Sequence, residues 1–202
     1  RVGVARGNLF PRLTLGGTAA INGTGNALAN TITGNVAANS INGGSGIDTM
    51  IGGDGTDTYF ADLTTDIISE TNAALATGGN DIVYFTGTSG TFILSANVER
   101  LALSGASAIN GTGNGLANIL IGNGAANVLN GLGGVDIMNG GNGTDIYFAD
   151  LFNDSIAETN AVLATGGNDL VNFTGTSGTF TLGANIERLS LGGAAAINGT
   201  GN

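Results

Sequence analysis

The sequence predicts an all-β fold, a parallel β-solenoid built from tandem repeats of 88 residues, and three observations carry that expectation. Residues 21–26 (INGTGN) return at 109–114 and again at 197–202, and the stretches 21–108 and 109–196 are identical at 61 of 88 positions with no insertion. Inside each repeat, glycine-rich turns alternate with one large apolar residue every nine positions. The composition has 38 Gly but a single Pro and no Gly-X-Y period, which excludes a collagen helix. The apolar share of 42% is mostly Ala with scattered Ile, Leu and Val, so the core is expected to be thin.

Residues 1–11 form a divergent leader, with two of the five arginines and no counterpart in the repeat. Residues 12–20 match the end of a repeat, since Arg12, Leu13 and Leu15 align with Arg100, Leu101 and Leu103. The first repeat, 21–108, carries four nonapeptides over 25–60: GNALANTIT, GNVAANSIN, GGSGIDTMI and GGDGTDTYF. Their sixth positions are Asn30, Asn39, Asp48 and Asp57, and their eighth are Ile32, Ile41, Met50 and Tyr59. The second repeat, 109–196, has its nonapeptides over 113–148, with Asn118, Asn127, Asp136 and Asp145 at position six and Leu120, Leu129, Met138 and Tyr147 at position eight. A third repeat starts at 197–202.

One apolar residue in nine cannot form the stripe of an amphipathic helix, and each glycine would cost a helix about 1 kcal/mol. A six-residue turn followed by a three-residue strand gives instead a flattened coil of about 18 residues per turn, stacked at about 4.8 Å, with the eighth positions inside. A fifth, glycine-free nonapeptide continues the spacing in 61–69 and 149–157, supplying Asp66 with Ile68 and Asp154 with Ile156.

Beyond it, residues 80–85, 90–94 and 97–103 read as short strands between Gly, Ser and Asn turns, and 69–77 as one short helical turn or a bulging loop stopped by Gly78 and Gly79. Tyr59, Phe60, Tyr84, Phe85, Phe92, Tyr147, Phe148, Phe173 and Phe180 are expected to fill the core rather than stack on sugars, except that Asn172 at the place of Tyr84 suits an exposed position. Glu99 with Arg100, and Glu187 with Arg188, are expected as surface ion pairs worth less than about 1 kcal/mol.

GGSGIDTMI and GGDGTDTYF resemble the GGxGxDxUx nonapeptides of the repeats-in-toxin (RTX) family, with the flanking GNALANTIT and GNVAANSIN as degenerate members. The resemblance implies a β-roll in which Ca²⁺ is held between turns 18 residues apart by turn carbonyls and Asp carboxylates. The implied ligands are Asn30, Asn39, Gly43, Gly44, Gly46, Asp48, Gly52, Gly53, Gly55, Asp57 and Asp66 in the first repeat. In the second they are Asn118, Asn127, Gly131, Gly133, Asp136, Gly140, Gly141, Gly143, Asp145 and Asp154. The pairs are Asn30/Asp48, Asn39/Asp57 and Asp48/Asp66, then Asn118/Asp136, Asn127/Asp145 and Asp136/Asp154. Asn loses a charge, so the Asn/Asp pairs are expected to bind more weakly. Ala61 and Asp62 replace the turn glycines before Asp66, and Gly131-Leu132-Gly133-Gly134 breaks the glycine order before Asp136, so distorted turns are expected there.

Electrostatics argues for a cation independently. Carboxylates about 5 Å apart repel by roughly 3 kcal/mol at an effective dielectric near 20, and Ca²⁺ between them turns that into attraction. The competing reading is that Asn and Asp only close Asx turns by local hydrogen bonds.

Without Cys or His, the chain has no disulfide, no thiolate or imidazole metal site and no Ser-His-Asp triad, so any metal is held by oxygen. A net charge of −10 with no Lys excludes a nucleic-acid surface, and no apolar run is long enough to span a membrane. Carboxylate pairs such as Asp62/Asp66 or Glu70/Asp81 invite a hydrolytic reading, but both repeats carry the same acidic set and nothing indicates a deep pocket, so no enzyme is expected. The function read from the sequence is a calcium-stiffened structural segment of an extracellular, secreted or cell-surface repeat protein: an adhesin stalk, surface layer or filament. The alternatives are a glycan- or ice-binding solenoid and a non-catalytic module of a secreted toxin or enzyme. Strand edges at 12–20 and 197–202 are expected to invite self-association, end to end, into fibres.

Overall fold

The computed structural model describes residues 2–4, 11–71, 78–158, 166–193 and 196–202. It divides into two units, one of residues 1–87 with 94–100 and one of 88–93 with 101–202. Each is a parallel β-solenoid, as the nine-residue period requires.

The first unit contains β1 (Val2–Val4), β2 (Arg12–Thr14), β3 (Asn22–Thr24), β4 (Thr31–Thr33), β5 (Ser40–Asn42), β6 (Thr49–Ile51), β7 (Thr58–Ala61), β8 (Ile67–Ser69) and β9 (Ile82–Phe85). Odd strands stack as β1-β3-β5-β7-β9 and even strands as β2-β4-β6-β8, because each six-residue turn carries the chain from one sheet to the other. The register advances by 18 residues: Ile32 lies opposite Met50, Met50 opposite Ile68, and Ile41 opposite Tyr59. From β7 to β9 it slips to 24, placing Tyr59 opposite Val83. The helical turn or loop expected over 69–77 falls largely on residues 72–77, outside the described residues.

Although residues 1–11 match no part of the repeat, β1 pairs in register with β3, Val2 opposite Asn22, because strand pairing needs only backbone groups and so tolerates a divergent sequence.

The second unit contains β10 (Thr91–Ile93), Leu101–Leu103 of β11 (Arg100–Leu103), β12 (Asn110–Thr112), β13 (Ile119–Ile121), β14 (Val128–Asn130), β15 (Ile137–Asn139), β16 (Ile146–Ala149), β17 (Ser155–Ile156), β18 (Leu170–Phe173), β19 (Thr179–Thr181), β20 (Arg188–Leu191) and β21 (Asn198–Thr200). Even strands run β10-β12-β14-β16-β18-β20, odd strands β11-β13-β15-β17, and β19 pairs with β21. The register repeats that of the first unit, with Leu129 opposite Tyr147, and Tyr147 opposite Val171 after the same 24-residue slip.

Between the two sheets of each unit lie the eighth positions. Ile32, Ile41, Met50, Tyr59, Leu120, Leu129, Met138 and Tyr147 have no exposed surface, and each burial contributes about 1.5–3 kcal/mol. Phe85, Phe92, Phe173 and Phe180 join them, Phe173 and Phe180 with ring centroids 4.8 Å apart. Phe60 and Tyr84 instead stack on each other at 5.4 Å, both half-buried, and Phe148 is exposed, so three of the nine aromatics lie outside the expected core. All three sit at position nine, or one residue past the buried Val83, where alternation along the strand turns the side chain outward. Among the described residues no helix is long and apolar enough to cross a membrane.

Candidate metal centre

Because strands of three residues leave position six at the end of each turn, the stacking register sets sixth-position residues in columns at the two edges of the coil. All six pairs read from the spacing meet by one contact: the backbone N–H of the earlier residue donates to the carboxylate of the later one. Asn30 N–H donates to Asp48 Oδ1 at 2.7 Å, Asp48 N–H to Asp66 Oδ1 at 3.0 Å, and Asn39 N–H to Asp57 Oδ1 at 2.6 Å. In the second unit the same bonds join Asn118 to Asp136 (2.8 Å), Asp136 to Asp154 (3.0 Å) and Asn127 to Asp145 (2.7 Å).

Asn and Asp differ in what this leaves over. Asn30 Oδ1 accepts from Asn26 N–H at 2.7 Å, and Asn39 Oδ1 from Asn35 N–H at 2.8 Å, closing their own turns. The amide Nδ2 of Asn39 reaches back to the Ile21 carbonyl at 2.8 Å, and that of Asn127 to the Ile109 carbonyl at 2.6 Å. These are the Asx-type bonds of the competing reading, and they satisfy the Asn side chains while sparing a lone pair on Oδ1. The Asp side chains are not satisfied. Oδ2 of Asp48, Asp57, Asp136 and Asp145 is buried with no hydrogen-bond partner, and each residue has no exposed surface.

Each orphaned oxygen faces the first glycine of its turn: a Cβ at Gly43, Gly52, Gly131 or Gly140 would collide with Oδ2 of Asp48, Asp57, Asp136 or Asp145. The second and fourth glycines, Gly44, Gly46, Gly53, Gly55, Gly141 and Gly143, have positive φ and wrap the backbone around that space. The broken turn at 131–136 is nevertheless formed. Leu132 takes the second place at φ 62° and Gly134 the fourth at φ 106°, while Gly133 sits between them without a left-handed φ. In the glycine-free turn 61–66, Asp66 Oδ2 takes over the glycines' work by accepting from the Asp62 and Leu63 N–H groups, both at 3.1 Å. Asp154 does the same with Asp150 and Leu151 at 3.1 and 3.0 Å.

A buried carboxylate oxygen without a partner resists ionisation. Burial first, and for Asp48 the neighbouring charge of Asp66 and Asp62, pushes the carboxyls of Asp48 and Asp57 up to about 6. Asp136 and Asp145 are pushed up to about 7 by burial and by the charges of Asp154 and Asp169 respectively. An oxygen-loving divalent cation fits such a donor set, since it supplies the missing partner and cancels the repulsion.

Sequence reasoning missed Asp81 and Glu99 as further members of the columns, and Asp169 and Glu187 as their counterparts. Asp57 N–H donates to Asp81 Oδ1 at 2.6 Å and Asp81 N–H to Glu99 Oε2 at 2.8 Å. In the second unit Asp145 N–H donates to Asp169 at 2.7 Å and Asp169 N–H to Glu187 at 2.9 Å. Glu99 and Glu187, expected in surface ion pairs, thus serve as sixth-position acceptors 18 residues past Asp81 and Asp169. The signal was present in Gly78-Gly79-Asn80-Asp81 followed by the buried Val83, a nonapeptide tail displaced by six residues. Sequence reasoning also gave no metal role to Glu70, which with Asp57 and Asp81 places carboxylate oxygens within 4.8 Å of one another.

Residues 24–59, 33–68 and 112–156 match the family model of the RTX calcium-binding nonapeptide repeat, in four copies. No curated protein and no solved structure matches the chain.

Proposed function

We propose that this chain, whose residues 24–68 and 112–156 are RTX calcium-binding nonapeptide repeats that bind Ca²⁺, is a calcium-stiffened structural segment of a secreted or cell-surface repeat protein, of the stalk, surface-layer or filament kind. The observation that carries the reading is that both units place Asp side chains with an orphaned, buried Oδ2 at matching positions, Asp48 and Asp57 in one and Asp136 and Asp145 in the other. A chain that buries charge without a partner gains stability when the partner arrives, so calcium acts as a folding ligand rather than a catalyst. Asp48, Asp57, Asp136 and Asp145 are the principal ligands, with the turn backbone around Gly43, Gly44, Gly46, Gly52, Gly53, Gly55, Gly131, Gly140, Gly141 and Gly143. Asn30, Asn39, Asn118 and Asn127 contribute at most one oxygen each, and Asp66 and Asp154, engaged by backbone N–H groups, chiefly build their turns.

A structural role also follows from repetition. In a solenoid each coil buries its faces against its neighbours, so near-identical units extend an array without redesign. Glu70 and Asp81, the pair open to a hydrolytic reading, are both buried and so closed to a polysaccharide. The test is a calcium titration of the whole chain at about pH 8, where most of the buried carboxyls are ionised, followed by far-ultraviolet circular dichroism with bound metal counted. The β signal is expected to develop with calcium and to be lost in the Asp48→Ala, Asp136→Ala double variant. Full folding in chelator with no calcium bound at saturation would overturn the reading.

A further inference from the structure

We infer that Glu70 and Asp81 join Asp57, the last Asp of the glycine-rich nonapeptide turns, in a further divalent-cation site placed where the coil lengthens from 18 to 24 residues. Glu70 and Asp81 lie past residue 68, where the nonapeptide match in this unit ends. The inference rests on the calcium-binding reading for the identity of the ion, and on separate geometry for its place.

The three side chains come from three levels of the coil. Asp57 closes the turn before β7, Glu70 follows β8, and Asp81 closes the displaced turn before β9. Their ligand oxygens lie within 4.8 Å of one another, close enough for one Ca²⁺, with oxygen ligands at about 2.3–2.6 Å, to reach all three.

A cluster of acids alone would not make a site, but two of these oxygens are left without a protein partner. Oδ2 of Asp57 and Oδ2 of Asp81 are both without a hydrogen-bond partner, on residues 0% and 1% exposed. Oδ1 of each is already used by the backbone, Asn39 N–H on Asp57 and Asp57 N–H on Asp81, so the carboxylates are fixed in orientation with the second oxygen turned inward. A Cβ at Gly52 would strike Asp57 Oδ2, Glu70 Oε1 and Tyr59 Oη together, which shows three oxygens converging on one point beside a glycine.

Glu70 is held in place from several sides. The Tyr59 hydroxyl donates to its Oε1, Gly53 N–H to its Oε2 at 3.3 Å, and Asn97 Nδ2 to its backbone carbonyl at 3.0 Å. Asn97 makes that bond from φ 64°, a strained backbone for a residue other than glycine. Three buried carboxylates close together, two of them with an oxygen that has no hydrogen-bond partner, make a strong attractor for a cation.

The second unit repeats the residues with a looser grip. Glu158 Oε1 and Oε2 accept from Gly140 and Gly141 N–H, each at 3.1 Å, and Tyr147 Oη accepts from Gly140 N–H at 2.7 Å instead of donating to the glutamate. Asn185, at φ 64°, donates to the Glu158 carbonyl at 2.9 Å. Glu158 is thus fixed to the turn rather than to the tyrosine.

Tyr59 offers a reporter. Terbium(III), an oxygen-seeking substitute for Ca²⁺, emits when a nearby tyrosine is excited, so an ion beside the Tyr59 hydroxyl is read out directly. The experiment uses the whole chain, terbium(III) for emission and calcium for stoichiometry, with Glu70→Gln, Tyr59→Phe and Asp48→Asn as variants. Expected are the loss of one bound calcium in Glu70→Gln and a drop of more than half in sensitised emission in both Glu70→Gln and Tyr59→Phe. Asp48→Asn, at the opposite edge of the coil, should lower the calcium count while leaving the emission standing. An unchanged count and emission in Glu70→Gln overturns the site, even where Asp48→Asn shows that the nonapeptide turns bind. A Glu70→Gln chain that loses all calcium, or a wild-type chain with no tyrosine-sensitised emission, overturns it as well. If Asp48→Asn leaves the calcium count unchanged, it is the reading of the nonapeptide turns that fails.

Discussion

The choice between Asn and Asp at one position in nine decides whether a coil can hold itself together. An amide both donates and accepts, so Asn39 closes its own turn through Asn35 and ties itself to the coil before it through the Ile21 carbonyl. A carboxylate only accepts, and with one oxygen taken by the preceding N–H, the other is stranded. Each repeat therefore sets two self-satisfied nonapeptide turns before two that demand a cation. Leu132 shows the cost of a wrong residue in the turn itself. It stands in the left-handed region that L side chains enter at roughly 1–2 kcal/mol, and at 44% exposure it recovers little by burial. Leu132→Gly is expected to raise the stability of the calcium-loaded chain by about 1 kcal/mol, less a small entropic loss in the unfolded state. Urea denaturation at saturating calcium checks this, and a variant no more stable than wild type would show that the exposed leucine makes up its strain elsewhere.

At the level of strands and turns, the nine-residue period made most of the solenoid legible. Position eight named the core residues from Ile32 to Tyr59 and from Leu120 to Tyr147, and position six named the paired turns, because both follow from a coil of constant length. What the period could not show was its own interruption. Gly78 and Gly79 read in the sequence as the stop of a helical turn or bulging loop, and in the structure Gly79 stands two residues before Asp81 at φ 96°, lying on the Gly55 carbonyl. Glu70 and Asp81, visible in the sequence only as a carboxylate pair, were not placed beside Asp57 for the same reason, since an 18-residue ruler laid from Asp57 lands on Leu75 and not on either. Strand β1 was hidden differently, because backbone pairing leaves no mark in side-chain spacing. Gly79→Ala tests the turn. A methyl there meets both a forbidden φ and the backbone of the coil beneath, so the variant should lose about 1–3 kcal/mol in chemical denaturation. Gly133→Ala, with open space around its Cα and no left-handed φ, should cost well under half of that. Equal losses in the two variants would mean that the 24-residue coil does not hold its turn as described.

Across the chain the buried acids act together, and their joint effect is a stability that answers to pH in opposite directions with and without metal. In the unfolded chain these carboxyls titrate near 3.8 for Asp and 4.5 for Glu, whereas folding lifts Asp48 and Asp57 to about 6, Asp81, Asp136 and Asp145 to about 7, and Glu70 to about 8. Burial is the leading cause for each, so the folded, metal-free chain binds more protons than the unfolded one over this range. Stability falls with rising pH wherever the native state holds the extra protons. The metal-free solenoid should therefore be most stable below about pH 4 and weaken steadily up to about pH 8, as a chain already carrying a net charge of −10 takes on buried charge as well. Calcium reverses the sign, because its ligands must be deprotonated to bind and the binding energy becomes folding energy. Thermal melts in chelator and in excess calcium, at about pH 5 and about pH 8, read both slopes: the melting temperature should fall between these pH values in chelator and rise in calcium. Parallel slopes in the two conditions would mean that the buried carboxyls are not where the cation binds.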